Sequence, residues 1–109
     1  MVKAASLKKR YILFEFSGPE MDEEQLKRAL YAEALKFFGE YGLSYAALKL
    51  LSFDKSKKTG IVRCERDYLD KVLGFLALLS SLDGSSARLI ALKSSGTLKS
   101  FGLELDSTH

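Results

Sequence analysis

Six stretches of patterned apolar residues, separated by breaks rich in glycine and charge, divide the chain. Residues 11–16, Tyr-Ile-Leu-Phe-Glu-Phe, alternate so that Ile12, Phe14 and Phe16 share one face and Tyr11, Leu13 and Glu15 the other, as in a strand. Ser17-Gly18-Pro19 ends it, because proline lacks a backbone donor and restricts the residue before it. From Asp22 the period lengthens. Asp22 suits an N-cap, and Glu23 and Glu24 suit the positive end of a helix dipole. Leu26, Leu30, Ala34, Phe37 and Tyr41 then recur at helical spacing, predicting a long amphipathic helix that ends near Phe38 to Tyr41. Gly39 and Gly42 reach positive φ without steric cost, which makes them stops. Leu43-Ser44-Tyr45 begins a turn into a second strand, residues 46–53, apolar enough to be packed on both faces.

Residues 54–60 are polar and end in glycine, as in a hairpin loop, and Ile61 to Glu65 forms a third strand. Asp67 caps a second helix, with Leu69, Val72, Leu73, Leu76 and Leu79 on its buried face and Leu82-Asp83-Gly84 as its stop. Ser85-Ser86 leads to a fourth strand, residues 87–93, and Ser94 onward makes a turn or a short terminal helix. The order β-α-β-β-α-β predicts an α+β, ferredoxin-like (RRM-like) sandwich: one four-stranded antiparallel sheet with both helices on one face and the other face open. The expected organisation is a single domain, residues 1–109, with a flexible arm at 1–8, a core at 9–93 and a tail at 94–109.

Composition narrows the chemistry. Hydrophobic residues are 47% of the 109, enough for a packed interior, and the net charge of +3 tilts toward anionic partners. Cys64 is the only cysteine and His109 the only histidine, so neither a disulfide nor a His-based triad can be assembled within the chain. Among occupations of this fold, a metal chaperone needs paired thiolates, and an acylphosphatase-like enzyme needs an asparagine that this chain lacks. No apolar run is long enough to span a bilayer, and residues 1–10 carry no secretory core, so a cytoplasmic protein without membrane partners is expected.

Five cations, Lys55, Lys57, Lys58, Arg63 and Arg66, lie in and just after the hairpin loop. The loop lysines read either as a solvated turn or as an anion contact. Arg63, within a strand, must emerge on the open face or pair with Glu15 or Glu65. Base stacking of the RRM type needs aromatics at the centres of strands one and three, and strand three has none. RNA binding would therefore run through charge and shape. Cys64 reads as a small buried apolar residue. Ser95-Gly96-Thr97 reads as a turn or as a backbone phosphate contact. A small-molecule-sensing or protein-interaction domain without RNA binding remains the alternative.

Five pieces taken in order resemble the archaeal ribonuclease P protein component 2 family, which is similar to a small eukaryotic ribonuclease P and MRP subunit. They are Lys9-Arg10-Tyr11-Ile12-Leu13-Phe14, the run 37–44 (Phe-Phe-Gly-Glu-Tyr-Gly-Leu-Ser), Lys49-Leu50-Leu51-Ser52-Phe53-Asp54, Gly60-Ile61-Val62-Arg63-Cys64 and Ser95-Gly96-Thr97-Leu98-Lys99. The resemblance implies a non-catalytic subunit of the ribonucleoprotein that removes 5′ leaders from precursor tRNA. In such a particle the RNA performs the hydrolysis with its own magnesium, and the protein binds no cofactor. It further implies ribonuclease P RNA and protein component 3 as partners, precursor tRNA indirectly, and a homodimer within a heterotetramer. On this reading Arg10, Lys55, Lys57, Lys58, Arg63 and Lys99 contact RNA phosphates, while Glu40, Leu43, Tyr45 and Tyr11 meet protein. Beyond Lys99 the tail turns apolar and acidic, unlike the basic tails of the family.

Overall fold

The computed structural model describes residues 8–101; residues 1–7 of the expected arm and 102–109 of the expected tail lie outside the described residues. Its elements are β1 (Lys9–Ser17), α1 (Glu23–Ala46), β2 (Lys49–Asp54), β3 (Thr59–Glu65), a 3-10 turn (Arg66–Tyr68), α2 (Leu69–Leu78), β4 (Ser81–Leu82), β5 (Ser85–Ser86), β6 (Arg88–Ser95) and a terminal 3-10 turn (Lys99–Phe101). β2, β3, β1 and β6 form one antiparallel sheet in that order, the ferredoxin-like arrangement predicted from the element pattern.

Helices cover one face because each strand turns its apolar set toward them. Ile12, Phe14 and Phe16 of β1, Val62 and Cys64 of β3 and Leu89 of β6 join Leu26, Leu30 and Ala34 of α1 and Val72, Phe75 and Leu76 of α2 in a single buried cluster. Gly60 of β3 lets the Phe14 ring lie close over the sheet, where it stacks on Phe53 at 6.3 Å and 7° between planes.

α1 begins with a full capping box: Gln25 N donates to Asp22 Oδ1 at 2.8 Å, and Asp22 N donates to Gln25 Oε1 at 3.0 Å. Gly39 interrupts it with φ 78° and ψ 171°, a conformation open essentially to glycine alone. The helix then restarts and runs to Ala46, capped by Ala47 in the left-handed region at φ 51°. Gly39 is thus the predicted stop, whereas residues 43–45 are helical rather than a turn, and β2 starts at Lys49 rather than at 46. On the restarted turns Leu43 and Ala46 take the core-facing side, and Tyr41 is 82% exposed instead of buried.

α2 also ends earlier than its apolar spacing predicts. Its N-cap is Tyr68, without a side-chain cap bond, and Asp67 instead faces Arg66 at 3.6 Å. Leu79 is already extended, and Asp83 and Gly84, at φ 54° and 82°, make the two-residue turn of a small β4–β5 hairpin. β6 continues past the expected end at residue 93 to Ser95, with an extra residue, Leu92, bulged opposite the step from Leu13 to Phe14.

Candidate nucleic-acid interface

Pairing register shows which side chains share the uncovered face, since antiparallel partners point the same way. Four rows cross it. Lys9 faces Glu65; Lys49, Arg63, Tyr11 and Ser95 form the next row; Ser52, Ile61, Leu13 and Lys93 form the third; Asp54, Thr59, Glu15 and Ile90 the fourth. The first row is an ion pair between Lys9 and Glu65. The second holds two cations from neighbouring strands. In the third, Leu13 and Ile61 are apolar, Ile61 is buried, and Lys93 Nζ lies 5.9 Å from the Phe101 ring centre.

Arg63 emerges on the open face as its place within a strand requires, but neither carboxylate expected to pair with it does so. Glu65 is bound to Lys9, and Glu15 lies opposite Thr59. Arg63 Nε is shielded from solvent with no hydrogen-bond acceptor among the described residues.

The other predicted phosphate contacts fall at two stations. Lys55, Lys57 and Lys58 occupy the β2–β3 turn, which Asp54 ties down by accepting from Ser56 N at 2.9 Å and Lys57 N at 3.2 Å. Lys55 and Lys57 are exposed, and Lys58 Nζ sits 5.8 Å from the Phe16 ring centre. Arg10, Arg63 and Lys99 lie toward the opposite end of the strands. Thr59 and Arg63 are four residues apart, about 13 Å at a strand's rise. No single phosphate can reach both stations. Arg10 shares the helix-side face with Cys64, donates from Nη1 to Lys9 O at 3.0 Å, and packs against Gly96. Thr97 N donates to Ser95 Oγ at 3.1 Å, so the Ser95-Gly96-Thr97 segment closes on itself as an ordinary turn.

The predicted protein contacts also separate. Glu40 and Tyr45 are exposed on the restarted half of α1, Leu43 packs against the buried cluster, and Tyr11 lies on the open sheet beside Arg63. Cys64 is fully buried on the helix side; burial, and secondarily the Glu65 carboxylate, push its thiol up from 9.0 to about 11. Lys49, opposite Arg63, lies outside the predicted contact set. It opens an apolar run, and only the register with Arg63 reveals its place.

Among the described residues no helix is long and apolar enough to cross a membrane. Several curated proteins similar to this chain are named "Ribonuclease P protein component 2". The protein from Pyrococcus furiosus is 37% identical over 93 residues, covering 84% of this chain and 78% of its own length. That from Archaeoglobus fulgidus is 40% identical over 93 residues, covering 84% and 83%. That from Methanocaldococcus jannaschii is 32% identical, covering 84% and 68%. The model of the Rpp14/Pop5 family matches residues 10–105, nearly the whole length, and the chain belongs to that family.

Proposed function

We propose that this chain is a non-catalytic protein subunit of ribonuclease P, the ribonucleoprotein that trims 5′ leaders from precursor tRNA. The family match over residues 10–105, with relatives named as component 2 of that particle, is the observation that carries the proposal. The chain's task is to bind and support the catalytic RNA. Lys55, Lys57 and Lys58 at one station and Arg10, Arg63 and Lys99 at the other neutralise backbone phosphates. Released counterions then favour the compact RNA. Hydrolysis, with its magnesium, belongs to the RNA.

The absence of an aromatic on β3 supports phosphate and shape recognition over base stacking. Protein component 3 is the second partner, met through Glu40, Leu43, Tyr45 and Tyr11 in a heterotetramer containing two copies of this chain, and the particle acts in the cytoplasm.

Reconstitution tests the reading. Adding this chain and component 3 to ribonuclease P RNA is expected to raise precursor-tRNA cleavage at low magnesium, with a log-affinity slope against log salt of roughly −3 to −4 for about four phosphate contacts. Unchanged cleavage together with salt-independent affinity would overturn it.

A further inference from the structure

We infer that Lys49 and Arg63 form a seat for one phosphodiester of the RNA backbone on the open sheet face, a placement that rests on the RNA-binding reading above. Two neighbouring rows of the same face carry the argument by contrast. Lys9 is opposite Glu65 and ion-paired to it, which is how a sheet ordinarily settles a cation. One row on, Lys49 is opposite Arg63, like charge against like, an arrangement that costs stability unless an anion joins it.

Among the described residues no carboxylate fills that role. Glu65 is taken by Lys9, and Glu15 and Asp54 belong to the row of Thr59, about 13 Å along the strand. Arg63 Nε is closed off from solvent and has no acceptor among the described residues. The half-buried guanidinium makes no ion pair among the described residues, and an unpaired, partly desolvated cation is expensive, so its N–H groups other than the shielded Nε are left for a ligand oxygen. A phosphodiester fits in both charge and shape. Its two non-bridging oxygens can meet the planar guanidinium fork, and the lysine adds a compact point charge. Tyr11, the partner of Arg63 on β1, continues the row on its other side.

The test uses the full chain. Lys49 is exposed, so its variants keep the fold, which circular dichroism checks. With ribonuclease P RNA, Lys49→Met and Arg63→Gln are each expected to weaken binding roughly tenfold and to flatten the salt slope by about 0.7 to 0.9. Their double variant should lose less than the sum, because they share one phosphate, whereas Lys49→Met with Lys57→Met should add. In the free chain, Lys49→Glu is expected to raise the melting temperature by giving Arg63 its carboxylate, while binding RNA worse than Lys71→Glu, the same charge change on α2. Titrating inorganic phosphate into labelled protein should shift the Arg63 Nε–H resonance in wild type and not in Lys49→Glu.

RNA binding that keeps its salt slope with Lys49→Met and Lys49→Glu unimpaired would overturn the seat while leaving the subunit reading intact. An RNA affinity absent in wild type would overturn both. Lost capture of component 3 by Lys49→Glu with RNA affinity unchanged would assign the row to an acidic protein and overturn the seat.

Discussion

Gly60→Ala is expected to destabilise the protein by about 2 kcal/mol, and the reason lies in what surrounds one missing carbon. A Cβ at residue 60 would stand 2.6 Å from the Ser52 carbonyl oxygen and 2.6 Å from Phe14 Cζ. The first obstacle is backbone of the neighbouring strand. The second is a ring tip, but Phe14 is fully buried and stacked on Phe53, so it has nowhere to swing. Overpacking of this kind costs about 1–3 kcal/mol, and the lower chain entropy of the unfolded alanine variant returns roughly 0.4–1 kcal/mol. With the strained carbonyl placing the cost at the upper end, a net loss near 2 kcal/mol corresponds to a melting temperature lower by about 9 °C for a domain of this length. Thermal unfolding followed by far-ultraviolet circular dichroism measures it, with urea titration as the independent check. Repeating the change in a Phe14→Leu background separates the obstacles, because the ring is then gone and the carbonyl is not. A melting temperature within about 2 °C of wild type for the single variant would refute the packing argument.

Tyr31→Phe should cost about 1–2 kcal/mol in urea unfolding, since the Leu50 N–H of edge strand β2 donates to the Tyr31 hydroxyl at 2.9 Å and would lose its acceptor. Ala47→Gly should stabilise by roughly 0.5–1 kcal/mol, because residue 47 holds φ 51° at the end of α1, where an L side chain is penalised; a lower melting temperature would contradict this. Cys64 should react with iodoacetamide only as fast as the fold opens, and labelling at the rate of a free thiol would show the burial to be wrong. With its folded pKa raised to about 11 from 9.0, the unfolded chain releases the Cys64 proton first. Its contribution is therefore full below pH 9 and declines as pH rises toward 11, and Cys64→Ala should remove that part of the alkaline decline.

Periodicity carried the fold because each strand has one clean apolar set: Ile12, Phe14 and Phe16 could only face a helical layer. It failed where one residue serves two purposes. Gly39 does end a run of helix, but a glycine that breaks a helix can also let it resume at a new angle, and Leu43-Ser44-Tyr45 beyond it reads equally well as a turn. Leu82-Asp83-Gly84 reads as a helix stop, although Asp-Gly is also the strongest short hairpin signal and the apolar spacing to Leu79 makes the helix look longer than it is. At the candidate site, Arg63 was legible because a cation inside a strand stands out. Lys49 was not, since its meaning depends on a partner 14 positions away and on a register that no local pattern contains.

The bulge at Leu92 has a bearing on how the protein behaves at high concentration. β6 borders the sheet and shows Ile90 and Leu92 to solvent, a combination that invites another chain to dock alongside and start a fibril. An incoming strand, however, would find the donors and acceptors of that border slipping out of step midway, and the local kink would turn its far half outward. The border thus discourages the growth of aggregates without surrendering the greasy side chains it displays.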